Sequence, residues 1–186
     1  MRSVGFQCNF LIPLETGETD IGQTGDTMKI RKAETKDLSR IAEIYVFNNR
    51  INYFPIFKDA GFSFGEMQVV SVIDNYFKKE DVLKNIFVFD DGVIKGFVQI
   101  DGTEIRKLYV DTCFQSEGIG CELIEFAIRE FCVDHLWALE KNTRAISFYN
   151  RHGFRLTGQK QFEEGTGMLY CYRCMCLYCV KNRPRR

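Results

Sequence analysis

The sequence lacks an excess of charge of either sign, and it lacks any long apolar run. Its 186 residues contain 25 Lys and Arg against 25 Asp and Glu, so the formal net charge is zero. A general nucleic-acid binder needs a basic surface to meet the phosphate backbone, so this balance argues against that class. A membrane-spanning helix needs about 20 consecutive apolar residues, and no stretch comes close. We therefore expect neither nucleic acid nor a membrane as a partner.

The start of the chain also lacks the marks of an export signal. The opening MRSVGFQCNFLIPL has no extended apolar core and no small-residue cleavage site, so we expect no signal peptide. Eight cysteines in such a chain predict reduced thiols and a cytoplasmic protein. Residues 1–27 end in a run rich in Gly, Thr and Asp and predict a flexible extension. Residues 28–178 are expected to form one domain, and the basic residues 179–186 a solvated tail.

The domain contains an alternation of helix-like and strand-like patterns. Helical spacing predicts a helix that begins at Thr35 and further helices over about 64–84, 118–131 and 143–151. Strand-like runs lie at 28–32, 86–90, 93–101, 103–110, 136–140, 154–162 and 168–176. Asp-Gly pairs separate the second, third and fourth of these runs, which indicates an antiparallel meander. The predicted fold is therefore α/β, with a mixed, largely antiparallel sheet flanked by helices.

The stretch QSEGIG, residues 115–120, lies between a strand-like run and a helix. A helix start offers unpaired backbone N–H groups and the positive end of the dipole, which bind phosphate without a cationic side chain. Two familiar phosphate motifs are excluded, because the third glycine of the dinucleotide fingerprint and the GK[ST] of the triphosphate loop are both absent. Two glycines also fit a tight strand-to-helix turn. On this motif alone, both interpretations stay open.

A second motif, NTRAISFYNRHGF at 142–154, follows the strand-like LWALE. Together with LYVDTCFQSEGIG it resembles the GNAT superfamily of N-acetyltransferases, over about residues 28–176. The resemblance implies acetyl-CoA, or another acyl-CoA, as donor and a sheet splayed open at the acyl-CoA slot. Backbone amides of the glycine loop would hold the pyrophosphate, and the strand ending at 108–110 would pair with the pantetheine arm. The residues implied to bind the coenzyme are Leu108, Tyr109, Val110, Gln115, Ser116, Glu117, Gly118, Ile119, Gly120, Asn142 and Tyr149.

Three residues depart from the family pattern. Ser116 and Glu117 stand where members usually have Gly and then Lys or Arg, and Thr112 stands where Pro is common. The Glu117 carboxylate would either repel the pyrophosphate or face solvent, since helix starts favour acidic residues. We expect at most a weakened affinity for coenzyme A.

In the reaction that the resemblance implies, an amine attacks the thioester and the coenzyme leaves as a thiolate. Tyr149 matches the family's tyrosine beside the leaving sulfur, where its phenol would supply a proton. The same residue also fits a core position beside Phe148. The backbone N–H of Leu108 or of a neighbour would hold the oxyanion.

The base is assigned to Glu104, because it starts the central strand, where several family members place a catalytic glutamate. Strict alternation would put Glu104, Arg106, Leu108 and Val110 on one face of the sheet. Two alternatives remain. Glu104 would form a surface ion pair with Arg106 or Lys107, and ordered water alone would act as the base.

The expected acceptor is a primary amine, either a small molecule or a peptide. Five aromatic residues fit either an apolar wall of the acceptor site or ordinary core, namely Tyr53, Phe54, Phe57, Phe62 and Phe64. Glu163 and Glu164 would attract a cationic amine, or would form a solvated turn. Dimers through the last strands are common in the family, so a homodimer is a further alternative. The rival to an enzyme is a non-catalytic acyl-CoA-binding or protein-interaction module on the same fold.

Four cysteines near the end of the chain follow the pattern C-x₂-C-x-C-x₂-C, namely Cys171, Cys174, Cys176 and Cys179. Thiolates at such spacing can hold zinc or an iron–sulfur cluster. In a strand, Cys174 and Cys176 would share one face, so we favour packing over ligation. His135 and His152 lack a ligand-like spacing to these cysteines, and we expect no metal.

Overall fold

The computed structural model describes residues 29–162 and 170–176, with the backbone alone for 170–174. The strands are β1 (Ile30–Lys32), β2 (Ile86–Asp90), β3 (Ile94–Asp101), β4 (Glu104–Val110), β5 (His135–Leu139), β6 (Phe154–Phe162) and β7 (Tyr170–Cys176). They form one seven-stranded sheet in the order β1-β2-β3-β4-β5-β7-β6. Neighbouring strands are antiparallel except β4 and β5, which run parallel. The predicted mixed, largely antiparallel sheet is confirmed.

Helices cover both faces of this sheet. In the described residues they are α1 (Leu38–Asn52), α2 (Phe54–Phe57), α3 (Val69–Val72), α4 (Glu80–Leu83), α5 (Ile119–Phe131) and α6 (Thr143–Arg151). Short 3₁₀ turns lie at Thr35–Asp37 and Thr112–Phe114, and π-helical turns at Gly61–Glu66 and Ile73–Phe77. None of the helices in the described part of the chain combines the length and the apolar character needed to cross a membrane.

The continuous helix predicted over 64–84 is wrong, because the segment is broken twice. Met67 leaves the helical region with ψ 76°, and Lys79 is extended with φ −64° and ψ 130°. The first break is stabilised by a residue that is distant in sequence. The guanidinium of Arg50 in α1 donates to the carbonyl oxygens of Ser63 (2.9 Å) and Met67 (3.0 Å), so these groups need no helical partner.

Two apolar cores lie on opposite faces of the sheet. On one face, α1 and the segment 69–77 pack on Phe97 and Val88, and Phe97 is fully buried. On the other face, α5 packs on Val98 and Ile105. Since neighbouring residues of a strand face opposite sides, Phe97 and Val98 each anchor one core. The sheet is therefore the middle layer of three.

Gly96 allows α5 to approach the sheet closely. A Cβ at this position would lie 2.9 Å from the carbonyl oxygen of Tyr109 and 3.2 Å from Cδ1 of Leu123 in α5. Contacts this short are repulsive, so any side chain at 96 would push β3, β4 and α5 apart. The close approach fixes the start of α5 near the end of β4.

The sheet opens between β4 and β5. The two strands pair only at Glu104 with His135 and at Ile105 with Leu136. Beyond this point β4 continues to pair with β3 as far as Val110, while β5 continues to pair with β7 as far as Leu139. Among the described residues, the part of β4 after Arg106 has no strand on its β5 side. The predicted splay is therefore present in the fold.

A bulge in β4 lies at the point where the strands part. Ile105 pairs with Ile100 and Lys107 pairs with Gln99, so Arg106 is an extra residue in the ladder. Ile105 and Leu108 consequently pack on the same core, although they are three residues apart. The predicted alternation, which put Glu104 on the face of Leu108 and Val110, is wrong at this bulge.

Candidate active site

The gap between β4 and β5 forms a cavity of about 1120 Å³. Its lining comes from α1, β4, the loop before α5, β5 and α6. The cavity therefore reaches from the α1 face of the sheet to the face covered by α5 and α6. Ten of the eleven residues assigned to coenzyme binding line it, namely Leu108, Tyr109, Val110, Gln115, Ser116, Glu117, Gly118, Gly120, Asn142 and Tyr149. Ile119 does not, because its side chain is buried in the core under α5.

Backbone groups of β4 face the cavity. Successive residues of a strand direct their N–H and C=O groups to opposite edges. The N–H of Asp111 donates to the carbonyl of Lys95 beside β3 (2.8 Å), so the N–H groups of Leu108 and Val110 point to the β5 side. The carbonyl of Val110 fits this direction, because it accepts hydrogen bonds from side chains outside the sheet. The gap thus presents amide donors along one wall.

The glycine loop is held in place by its first residue. Nε2 of Gln115 donates to the carbonyl of Val110 (3.1 Å) and to Oδ1 of Asn48 in α1 (3.1 Å). Ser116 and Gly118 both take positive φ values, 72° and 91°, which turn the chain sharply into α5. This conformation is easy for glycine and strained for serine.

The start of α5 has no side-chain cap among the described residues. The carbonyl of Gly118 accepts from the N–H groups of Cys121 and Glu122, so the earlier amides of the helix lie ahead of the first helical bond. The start of α6 differs, since Oδ1 of Asn142 accepts from the N–H of Ala145 (3.1 Å). An uncapped helix start beside a cavity is suited to an anion.

Tyr149 lines the cavity from α6. Its ring lies 5.4 Å from that of Phe148 and 6.1 Å from that of Phe154, both at steep angles. Packing on two rings restricts the tyrosine to one position while its face reaches the cavity. Tyr149 therefore packs on the core and also lines the gap, and its role as a proton donor stays a prediction.

The charged lining residues carry mostly positive charge. Within the described part of the chain, they are Arg106, Lys107, Arg144, Arg151 and Glu117. Sequence reasoning missed Arg144 and Arg151. A signal was available, because seven residues are close to two helical turns and place both guanidinium groups on one side of α6. Neither arginine has a carboxylate within 4.0 Å in the described residues.

Tyr109 lies under α1 at the wall of the cavity. Burial raises the pKa of Tyr109 well above its usual range, with the nearby Tyr53 and Tyr45 adding to the shift and Asn49 opposing it. Hydrogen bonds join its hydroxyl to Tyr53 and Asn49. The phenol therefore stays neutral and structural, and its contribution to the site is the strand backbone.

Glu104 does not line the cavity. Its carboxylate accepts two hydrogen bonds of 3.2 Å from Arg106, which does line the cavity, and lies 3.8 Å from Nε2 of His135. Nδ1 of His135 is 2.6 Å from Oδ1 of Asp134. The ion pair with Arg106 is the alternative that was weighed against a base. Glu104 thus lies one residue before Ile105, which is the first residue of β4 that lines the cavity and forms the floor of the gap.

Most of the expected aromatic wall is elsewhere. Tyr53 lines the cavity, whereas Phe57 does not and packs in a small cluster with Tyr53 and two other lining residues, Trp137 and Leu139. Phe54 and Phe64 stack on each other with centroids 5.0 Å apart. Phe62 is about half exposed.

Several sequence predictions fall outside the described residues. These are the acidic pair Glu163 and Glu164, the thiol groups of Cys171 and Cys174, and Cys179. Cys176 is described and is buried against the core beneath α5, as packing in a terminal strand requires.

Comparison with known proteins identifies the family of the chain. Residues 54–170 match the family model of the acetyltransferase (GNAT) domain. The chain belongs to the GNAT acetyltransferase family. A curated relative, the peptidyl-lysine N-acetyltransferase YjaB of Salmonella typhimurium, is 29% identical over 79 residues. That match covers 42% of the chain and 54% of YjaB, so the chain spans about half the length of this GNAT relative.

Solved GNAT structures share the fold. The solution structure of apo YjaB from Escherichia coli has a TM-score of 0.64 at 17% identity, covering 80% of this chain and 96% of that protein. The PaiA N-acetyltransferase of Thermoplasma acidophilum, solved in complex with coenzyme A, has a TM-score of 0.54 at 18% identity. It covers 77% of this chain and 96% of PaiA. At these identities the likeness shows the fold.

Proposed function

We propose that this acetyltransferase moves the acetyl group of acetyl-CoA to a primary amine by direct attack of the amine. One observation carries the proposal. The gap between β4 and β5 joins an uncapped helix start to a strand edge whose amide N–H groups are unpaired by any described strand. The first feature suits a diphosphate, and the second suits an amide-rich arm that lies along a strand.

Coenzyme binding would use backbone donors first and arginines second. Glu117 brings a negative charge to the loop, which opposes the pyrophosphate. Arg144 and Arg151 line the same cavity and supply two positive charges from α6. Arginine pairs well with phosphate oxygens because its planar fork donates two parallel hydrogen bonds. We assign the phosphate groups to the loop amides together with these two arginines.

The chemistry needs a donor for the oxyanion and an acid for the sulfur. The amine nitrogen attacks the thioester carbonyl, a C–N bond forms, and the carbonyl oxygen becomes negative. The N–H of Leu108 points into the gap and would stabilise that oxygen. The C–S bond then breaks, and the Tyr149 hydroxyl would give its proton to the leaving thiolate.

The amine must lose a proton during the attack, since its ordinary pKa of about 10.4 leaves it mostly protonated at neutral pH. We assign Glu104 as the final acceptor, reached through water at the floor of the gap. Arg106 connects the cavity with Glu104, because it lines the cavity and donates hydrogen bonds to the Glu104 carboxylate. A positive charge at this point also favours the neutral form of the attacking amine.

The deciding experiment combines calorimetry with coenzyme A and a thiol-release assay with acetyl-CoA across a panel of amines. Binding with release supports the proposal, and the absence of binding by a folded sample contradicts it. Arg144→Gln and Arg151→Gln should each weaken coenzyme binding about fivefold, and more strongly at low salt. Arg129→Gln is the matched control, because Arg129 lies on α5 and pairs with Glu130 away from the cavity.

One residue favours a second candidate, a non-catalytic acyl-CoA-binding module. Glu117 lines the cavity in the phosphate loop and has no described cationic partner within 4.0 Å. Coenzyme binding without thiol release for every amine would assign the chain to this class. A homodimer and a cytoplasmic location stay predictions from the sequence.

A further inference from the structure

The cavity has two ends because the gap passes through the sheet. Gly118 and Tyr149 lie at the end covered by α5 and α6, where the proposed function puts the coenzyme. Asn48, Asn52 and Tyr53 lie at the end covered by α1. If the donor occupies the first end, the acceptor must reach the thioester from the second. The chemistry of the α1 end therefore describes the acceptor.

Lys107 is the charged residue of β4 that lies toward α1. Its Nζ is 4.5 Å from the ring centroid of Tyr76 and 5.3 Å from that of Tyr45. Both rings are fixed. The hydroxyl of Tyr76 donates to Oε1 of Gln99 (2.8 Å), and the ring of Tyr45 packs edge-on against that of Tyr109 at 5.3 Å. Two fixed aromatic faces hold the ammonium in a defined place, and Lys107 is among the residues that line the cavity.

The charge of Lys107 is not neutralised by the described part of the chain. No carboxylate of residues 29–162 lies within 4.0 Å of its Nζ, whereas Lys95 on β3 is paired with Asp91 at 2.7 Å. Arg106, its neighbour in β4, is paired with Glu104. Glu117 is the acidic residue of the described lining, and it belongs to the loop at the other end. Aromatic faces stabilise a cation but leave its charge in place.

We propose that Lys107 binds an anionic group of the acceptor, so that the preferred acceptor is a primary amine that also carries a carboxylate. This inference rests on the proposed acetyl transfer and extends it to the substrate class. Lys107 precedes Leu108, whose N–H points to the oxyanion position. The carboxylate would therefore be held by the β4 residue next to the one whose N–H faces the reacting carbonyl.

Two sources supply this chemistry, an α-amino acid and a lysine with an acidic neighbour in a peptide. The test measures kcat/KM by thiol release with the full chain and acetyl-CoA. One arm compares a lysine peptide flanked by glutamates with the same peptide flanked by glutamines and by arginines. The other arm compares free alanine and glutamate with their carboxamides. The arm that shows the preference identifies the source.

We expect the carboxylate-bearing member of the effective arm to react about tenfold better, mostly through a lower KM, since one partly buried ion pair corresponds to roughly that factor. Lys107→Gln should abolish this preference, Lys107→Glu should invert it, and Lys107→Arg should keep it. Lys36→Gln is the control with the same change of charge, because Lys36 lies on the surface beside Glu34 and outside the cavity. Thermal unfolding and coenzyme binding confirm that each variant is folded.

Equal kcat/KM values within both arms overturn the inference, and so does a preference that survives in a folded Lys107→Gln. Neither result contradicts the proposed acetyl transfer, because thiol is still released. The absence of release with every acceptor in both arms, despite coenzyme binding, overturns the inference together with the proposed function.

Discussion

The side chains of Gln115 and Asn48 meet across the end of β4. Nε2 of Gln115 donates to Oδ1 of Asn48 at 3.1 Å, and the Nδ2 of Asn48 and the Nε2 of Gln115 both donate to the carbonyl of Val110. Asn48 is buried in α1, so the first residue of the glycine loop is tied to a fixed helix. The relationship connects the α1 end of the cavity with the glycine loop at the other end.

Replacing Gln115 with Ala should loosen the loop. Two hydrogen bonds are lost and the Asn48 amide loses a partner, which should cost about 1 kcal/mol in the free energy of unfolding. Coenzyme A should bind about fivefold more weakly, because the amides would no longer be preorganised. Urea unfolding and calorimetry measure the two effects. Gln161→Ala, on the exposed strand β6, should change neither quantity; a loss of equal size there would contradict the role of the tether.

Ser116→Gly should make the protein more stable. Ser116 has φ 72°, a left-handed conformation that costs a non-glycine residue about 1 kcal/mol. Glycine relieves this strain, although the greater freedom of its unfolded chain reduces the gain. Chemical denaturation should show a rise of up to about 1 kcal/mol. Ser116→Ala keeps the strain and serves as the matched variant, so equal stability of the two variants would refute the explanation.

Tyr149→Phe should lower kcat for thiol release by about 100-fold, because the leaving thiolate loses its proton donor. Coenzyme affinity should stay within about twofold, since the ring and its packing on Phe148 and Phe154 remain. Steady-state kinetics and calorimetry on one preparation separate these effects. An unchanged kcat would assign the proton to water and remove Tyr149 from the mechanism.

Glu104→Gln tests the assignment of the base. The amide keeps the size of the side chain and its contact with Arg106 but cannot take a proton, so kcat should fall about tenfold or more. Arg106→Gln removes the partner of the ion pair and leaves Glu104 ionisable. If Glu104→Gln keeps the kcat of the wild type, water in the gap is the base and Glu104 is only the partner of Arg106.

The stability of the fold should fall in acid through Asp37. Burial alone would raise the pKa of Asp37, but hydrogen bonds from Arg31 (2.7 and 3.0 Å) and from the N–H of Glu34 (2.8 Å) hold that pKa below its usual range. The resulting stability is complete above the unfolded-state pKa of about 4. It is lost as the pH falls through the lower folded-state pKa. Asp37→Asn should lower the unfolding free energy at pH 7 by about 2 kcal/mol.

Urea unfolding between about pH 7 and pH 2.5 measures how the free energy of unfolding depends on pH. The acid end of this range lies below the unfolded-state pKa, where Asp37 of the folded protein takes up its proton. The difference between wild type and Asp37→Asn should shrink toward the acid end. A difference that stays constant over the whole range would show that the Asp37 charge contributes nothing to stability.

Local chemistry was enough to predict the meander and α6. Asp-Gly pairs end the strands at Asp90 and Asp101, and the predicted bounds of 143–151 match α6. These elements depend on turn residues and on apolar spacing within a few positions. The α5 helix was predicted on the same grounds over 118–131, and the structure has it at Ile119–Phe131 with Gly118 just before it.

The remaining features depend on partners that are distant in sequence. The helix predicted over 64–84 breaks where Arg50 takes the carbonyls of Ser63 and Met67. The bulge at Arg106 is a property of two paired strands, so the pattern of β4 alone could not reveal it. Lys107 showed no signal in the sequence, because its environment is built from Tyr45 and Tyr76 on separate segments.

In the described residues, β4 and β5 pair at two positions, and the carbonyl of Thr103 just before β4 accepts from the N–H groups of Asp134 and His135. These bonds lie at one end of the boundary between the first four strands and the last three. A pantetheine arm lying in the gap would form hydrogen bonds along β4 and β5 where these two strands do not pair with each other. With coenzyme bound, the sheet would be continuous, and without it the sheet would stay open between β4 and β5. Resistance to heat and to proteases would follow the local supply of coenzyme.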